Sequence, residues 1–189
     1  IPTEEKGPFE QTLFAHVNRE KSVLVWYMGD SLGLPAPKVQ TVAASCDILM
    51  ILSIMYDDIN DRDEFRAGLQ TSWSKYGQEK TMASFQKGLS VVQQILSKGA
   101  GPDAAIKCMD CVNEGLHSYR LAEKLTLRSP LQDILSVYSK RGSFHTDFPV
   151  TTLLENIEVS GYKQYALDGF RANNQAVQVL NDLKDLNRG

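Results

Sequence analysis

The sequence predicts an all-α fold. Apolar residues recur at three- and four-residue steps over most of the 189 residues, as a helix buried on one face requires. Alternating runs of Val, Ile and Thr bounded by two-residue turns are nearly absent, so strands are not expected. Gly and Pro clusters cut the helical pattern into segments. The first helix is expected from about Pro8 to Asp30, stopped by Gly33-Leu34-Pro35-Ala36-Pro37. The second, strongly apolar, runs from about Lys38 to Asn60. The third covers roughly Ser72 to Ser97 and ends at Gly99-Ala100-Gly101-Pro102, after which a fourth runs from Asp103 to about Leu125. Ser129-Pro130-Leu131-Gln132 reads as a capping Ser, Pro at the first helical position and Gln at the third, opening a helix that reaches about Phe144. Pro149 opens another, broken near Gly161, and the last runs from about Tyr162 to Leu186.

Composition narrows the function classes. With 42% hydrophobic and 23% charged residues the chain can bury a core, which excludes intrinsic disorder. A net charge of −3 argues against a nucleic-acid binder driven by overall charge. Three cysteines cannot build a disulfide scaffold, and a reducing, cytoplasmic setting is the expectation. The start, Ile-Pro-Thr-Glu-Glu-Lys, is polar and reads as a trimmed terminus without a signal peptide. The longest apolar run, Ile48 to Tyr56, is about half of what a membrane span needs, so no transmembrane segment is expected. Without repeats, low-complexity tracts or a linker, residues 1–189 read as one domain.

Two helices carry acidic clusters. The second helix ends in Tyr56-Asp57-Asp58-Ile59-Asn60-Asp61-Arg62, where Asp57 and Asp61 share a face with Ile54, Met50 and Asp47. Like charges at that spacing repel, and acidic residues at a helix C-terminus oppose the helix dipole, so a divalent cation is one way to compensate them. A solvated acidic helix end is the other. A calcium-binding EF-hand loop fails, because Arg62 stands at the fifth position and Asp63 where the Gly is required. On the last helix, Asn174, Gln178, Asn181, Asp182 and Asp185 form one polar face, with Val177, Leu180 and Leu183 apolar. Oxygen ligands without a nearby His suit Mg²⁺ rather than zinc, and Mg²⁺ commonly completes its shell with substrate phosphates. Arg62, Arg66, Lys140 and Arg141 are the cations available to such a substrate.

These residues resemble a known family. Asp57-Asp58-Ile59-Asn60-Asp61 followed by Arg62-Asp63-Glu64-Phe65-Arg66-Ala67-Gly68 is similar to the first aspartate-rich motif of the trans-isoprenyl diphosphate synthases, the polyprenyl synthetase family. Lys140-Arg141-Gly142 and Gln178-Val179-Leu180-Asn181-Asp182-Leu183-Lys184-Asp185 resemble its later motifs, in the same order. The resemblance implies the class I isoprenoid synthase helical bundle around an apolar cavity. It also implies a Mg²⁺-dependent prenyltransferase that ionises an allylic prenyl diphosphate and passes the prenyl group to isopentenyl diphosphate or another acceptor. By motif position, Asp57, Asp58, Asp61, Asn181, Asp182 and Asp185 are the metal ligands. Arg66 and Lys140 grip the allylic diphosphate and Gln178 belongs to the same site. Arg19 and Lys21 partly stand in for the acceptor site, and Leu52 and Ser53 occupy the positions that set product length. A homodimer is the family's usual assembly. The chain stops shortly after Asp185, where relatives continue through further helices, so a domain lacking the C-terminal helices is expected.

The departures from the motif point to the acceptor. Ala67 replaces the second Arg of the family's Arg-Arg-Gly, Met50 replaces a His, and the N-terminal basic site is reduced to Arg19 and Lys21. This pattern implies an enzyme that ionises an allylic diphosphate but uses a non-isopentenyl acceptor, as ComQ-like peptide prenyltransferases do, or that cyclises the chain as a terpene synthase. A non-catalytic partner subunit of a full synthase is a third reading. The C-x-x-C of Cys108 and Cys111 falls within a helix and reads as structural. Trp26, Phe85, Phe144, Tyr162 and Phe170 are the aromatics that could line a cavity or serve the core.

Overall fold

A computed structural model describes the backbone of residues 3–15, 20–126, 128–155 and 161–186, and the side chains of these except 3–6, 14, 15, 20, 181, 182 and 184–186. The chain divides into two compact units, residues 1–106 and 107–189.

The first unit is organised around α3 (Ala36–Asp61), the strongly apolar helix. Its residues Ile51, Leu52, Ser53, Ile54 and Met55 are all buried, so the helix is enclosed on every side toward its C-terminal end. A helix that is apolar all round needs such cover. Here it comes from α1 (Thr3–Ala15), α2 (Glu20–Ser31), α4 (Ser72–Tyr76) and α5 (Gln78–Gly99). Taken whole, α3 is long and apolar enough to cross a membrane, which the unbroken run from Ile48 to Tyr56 understated; most of that window is buried in the fold. The α3–α5 contact is close because Gly88 faces Leu52, leaving no room for a side chain at that position on α5.

Three expectations change here. The helix from Pro8 to Asp30 is two helices, with α1 ending at Ala15 and α2 starting at Glu20; residues 16–19 lie outside the described residues. The helix expected from Ser72 is broken at Gly77, whose φ of 86° ends α4 before α5 begins. A small β-hairpin, β1 (Phe65–Arg66) and β2 (Leu69–Gln70), stands where no strand was expected. Its antiparallel pairs are Phe65 with Gln70 and Arg66 with Leu69. The two loop residues, Ala67 at φ 51° and Gly68 at φ 80°, both take the left-handed conformation of a tight hairpin turn, which costs Ala more than Gly.

In the second unit, α7 (Leu131–Arg141) packs on α9 (Tyr162–Leu186), as does α8 (Asp147–Leu153). The helix α6 (Pro102–Ala122) runs across the boundary between the units. Pro130, not Ser129, is the N-cap of α7, and it makes no side-chain cap. The Ser129 hydroxyl instead accepts from the Thr126 N–H at 2.8 Å, one turn-forming bond earlier. α7 ends at Arg141 rather than Phe144, because the chain enters a fully buried connector from Gly142 to Thr146 that leads into α8. A buried connector must satisfy its own polar groups. Ser143 donates to the Cys111 carbonyl at 2.7 Å, and both the N–H and the hydroxyl of Thr146 donate to the Gly142 carbonyl at 2.9 and 2.6 Å.

At its N-terminal end the polar face of α9 is packed rather than solvated. Asn174 is buried and donates to the Tyr138 carbonyl at 2.5 Å, and Gln175 donates to the Leu135 carbonyl at 3.0 Å, so α9 meets α7 through amides. Val177, Leu180 and Leu183 are exposed.

Candidate functional site

The first acidic cluster sits where α3 stops. Arg62 takes the left-handed conformation (φ 59°) and ends the helix, while the Asp63 N–H donates back to the Asp58 carbonyl. Asp58 continues the enclosed part of α3 and is only 1% exposed; Asp57 is half-buried and Asp61 is exposed. The sequence predicted Asp57, Asp58 and Asp61 to act together. The structure brings Asp57 and Asp58 onto one partner, Arg66, while Asp61 accepts from the neighbouring Asn60 amide at 2.8 Å.

Arg66 reaches this place because the hairpin turns the chain back over the helix end. Its Nε donates to Asp58 Oδ1 at 2.6 Å, and one terminal nitrogen lies 3.1 Å from Asp57 Oδ2 and 3.4 Å from Asp63 Oδ2. Burial pushes the Asp58 carboxyl up to about 6, against the pull of Arg66, so at neutral pH it is still ionised. Burial opposes the charge on Arg66 as well, but Asp58, Asp57 and Asp63 together hold it above the usual arginine value.

The hairpin is itself pinned. The Thr71 hydroxyl and the Trp73 indole N–H both donate to the Asp63 carbonyl, at 2.6 and 2.8 Å. The Thr71 N–H donates to the Glu64 carbonyl at 2.9 Å, and the Gln11 amide on α1 donates to the Gln70 carbonyl at 2.7 Å. Asp63, Thr71 and Trp73 were not among the residues assigned to the site from sequence. The available signal was the two-residue turn ending in Gly68, with Phe65 and Leu69 on either side of it.

The other predicted residues fall as follows. Arg19 lies outside the described residues, and Lys21 is buried on α2. Leu52 is fully buried against Gly88, and the Ser53 hydroxyl donates to the Met50 carbonyl at 2.8 Å. Lys140 is half-buried in the last turn of α7, and Arg141 beside it stacks its guanidinium 4.6 Å from the centre of the Tyr119 ring. Gln178 is half-buried on α9. Asn181, Asp182 and Asp185 occupy its last turns, with side chains outside the described residues. Phe85 and Phe144 are core residues, and Phe85 pairs with Tyr56, its ring centre 5.6 Å away; Trp26 and Tyr162 are exposed. Cys108 is buried and Cys111 half-buried, both as free thiols. Burial pushes each up to about 12, helped at Cys111 by Asp147 and its acidic neighbours.

The donor set at the end of α3 suits a hard cation, being carboxylate oxygen throughout. Among the described residues, no group of three or more His, Cys, Asp or Glu side chains is arranged to hold a metal ion. Asp57 and Asp58 are drawn instead around the guanidinium of Arg66.

Comparison with known proteins defines the class. No protein-family profile matches the chain. An isoprenoid synthase family member from Thermotoga neapolitana superposes with a TM-score of 0.84 at 16% identity, over 98% of this chain and 74% of that one. A geranylgeranyl pyrophosphate synthetase from the archaeon Geoglobus acetivorans gives 0.82 at 19% identity, over 97% and 63%. The fold is therefore the all-α isoprenoid synthase fold. Within that class the likeness is to the trans-isoprenyl diphosphate synthases. Among curated proteins, the geranylgeranyl pyrophosphate synthase idtG of Claviceps paspali is 32% identical over 84 residues. That match spans 44% of this chain and only a quarter, 25%, of the relative's length.

Proposed function

We propose that the chain is a cytoplasmic, homodimeric prenyltransferase of the trans-isoprenyl diphosphate synthase type, in a single domain, which ionises an allylic prenyl diphosphate and transfers its prenyl group. The observation that carries this reading is the end of α3, where Asp57 and Asp58 lie together at the mouth of an apolar helix with one arginine between them. Asp57, Asp58 and Asp61 hold Mg²⁺ in this reading, with Asn181, Asp182 and Asp185 as the second set by motif position. Bound Mg²⁺ supplies Lewis-acid stabilisation of the departing diphosphate. Arg66 and Lys140 bind the diphosphate oxygens, and Gln178 orients the substrate.

The acceptor half is the weaker match, and one structural feature favours a non-isopentenyl acceptor or cyclisation. Ala67, where the family has a second Arg, is an exposed turn residue and brings only a methyl group to the hairpin. The test is incubation with geranyl, farnesyl or geranylgeranyl diphosphate, with and without isopentenyl diphosphate, following pyrophosphate release. Release without isopentenyl diphosphate is expected. Release only in its presence would exclude the eroded acceptor site. No release under any condition, and no effect of Mg²⁺ and a diphosphate analogue on the melting temperature, would favour a non-catalytic partner subunit.

A further inference from the structure

One guanidinium is shared by three carboxylates at the end of α3. Arg66 meets Asp58 at 2.6 Å, Asp57 at 3.1 Å and Asp63 at 3.4 Å. Two of these partners are the carboxylates that the proposed function assigns to the divalent cation, and Arg66 is the residue that it assigns to the diphosphate. Arg66 and a divalent cation therefore compete for the same two carboxylates. A cation seated between Asp57 and Asp58 at about 2.1 Å from their oxygens would share them with a positive charge already at hydrogen-bond distance, and the two charges repel. A guanidinium engaged by aspartates in turn has fewer donors left for a phosphate.

The backbone under Arg66 is held in place, so the exchange falls to the side chain. Thr71 and Trp73 fix the Asp63 carbonyl, and Gln11 fixes that of Gln70. The arginine side chain itself is 29% exposed, which leaves one side of its head open to a ligand, whereas the Asp58 side chain is 2% exposed. Asp58 therefore cannot turn to water for its counter-charge; it keeps Arg66 or takes another cation.

We propose that Arg66 is a latch that serves as the counter-ion of Asp57 and Asp58 in the empty site. It is displaced when a divalent cation takes the carboxylates and a diphosphate takes the arginine, so the two ligands bind with positive coupling. This rests on the reading of the site given above. Coupling of this kind is reciprocal: whatever draws Arg66 away raises the affinity of the site for the cation, and the reverse.

The test is titration of the full chain with Mn²⁺, a paramagnetic stand-in for Mg²⁺, read by electron paramagnetic resonance without any diphosphate. Arg66→Gln should bind Mn²⁺ at least tenfold more tightly than the parent chain, and adding Asp58→Asn to it should remove that gain. Equal or weaker binding by Arg66→Gln overturns the latch. Should Arg66→Gln fail to fold by circular dichroism, Trp73→Phe, which loosens the hairpin, takes its place with an expected gain of about threefold, and no gain there overturns the proposal equally. The underlying reading is tested separately by the melting temperature of the parent chain with Mg²⁺ and farnesyl diphosphate. A rise there without the Arg66→Gln gain refutes the latch alone; no rise refutes both.

Discussion

Each unit of the molecule buries an aspartate against an arginine, and the two pairs are built differently. In the second unit Asp147 is 4% exposed and is matched one to one. Arg171 donates to Oδ2 through Nε at 3.0 Å and a terminal nitrogen at 2.5 Å, and the Thr146 hydroxyl, whose proton the Gly142 carbonyl takes, lies 3.2 Å from the other oxygen. Asp147 in turn holds Arg171 above the usual arginine value. In the first unit Asp58 is buried as deeply, but its arginine also serves Asp57 and Asp63. The Asp147 pair is closed, one carboxylate to one arginine, whereas in the Asp58 cluster three carboxylates share the Arg66 guanidinium, an arrangement open to an added cation. A closed buried pair holds structure in place, whereas an unclosed one is what a binding site needs.

The largest effect expected from breaking this contrast is on chemistry. Asp57→Ala removes a half-buried carboxylate from the unclosed cluster and should lower turnover on the order of 10³-fold, about 4 kcal/mol in the barrier, with the helical circular dichroism unchanged. Near-normal pyrophosphate release from that variant would remove Asp57 from the metal site. Next comes Arg171→Ala, which leaves Asp147 buried without its cation and should cost about 3 kcal/mol of stability in urea unfolding. Mn²⁺ binding should stay as in the parent chain, and if binding fell along with stability, the two clusters would not be distinct in kind.

A smaller effect is expected at Gly88→Ala. The added Cβ would lie 2.6 Å from Leu52 Cδ2, forcing α3 and α5 apart at a cost of about 2 kcal/mol in melting experiments. An unchanged melting temperature would mean that Leu52 repacks freely. The smallest concerns the thiols of α6, Cys108 and Cys111. With Cys108 and Cys111 raised from about 9 to about 12, iodoacetamide at pH 8 should modify them at least ~100-fold more slowly in the native chain than in urea. Because the folded values are the higher ones, the stability tied to these thiols is complete below pH 9 and is lost as pH climbs through 12. Rapid alkylation at pH 8 would show that this cluster is not sealed.

Much of the fold was legible because helix period and Gly-Pro punctuation are local properties. The boundaries of α3, α6 and α9 fall within a few residues of their expected positions. The acidic motif was legible for the same reason, since Asp57 and Asp58 are neighbours on one helix end. What was not legible depends on contacts distant in sequence. Gly88 reveals its purpose only when Leu52 arrives opposite, and Asn174 looks like a surface amide until Tyr138 supplies its acceptor. The hairpin was missed because its strands are two residues long, too short for an alternating pattern, and because its anchors, Thr71 and Trp73, lie at the start of the segment that reads as the next helix. The pairing of Arg66 with Asp58 follows from that hairpin and could not be seen without it.

The apolar girth of α3 has a consequence for how the chain is made. The helix is complete when Asp61 leaves the ribosome, but its main cover, α5, ends only at Gly99. At a synthesis rate of about 5–20 residues per second, α3 has only α1 and α2 for cover for several seconds. During that interval it offers chaperones and membranes the face that it later turns toward α5. The yield of folded protein in a cell therefore depends on how long this one helix must wait for its partner.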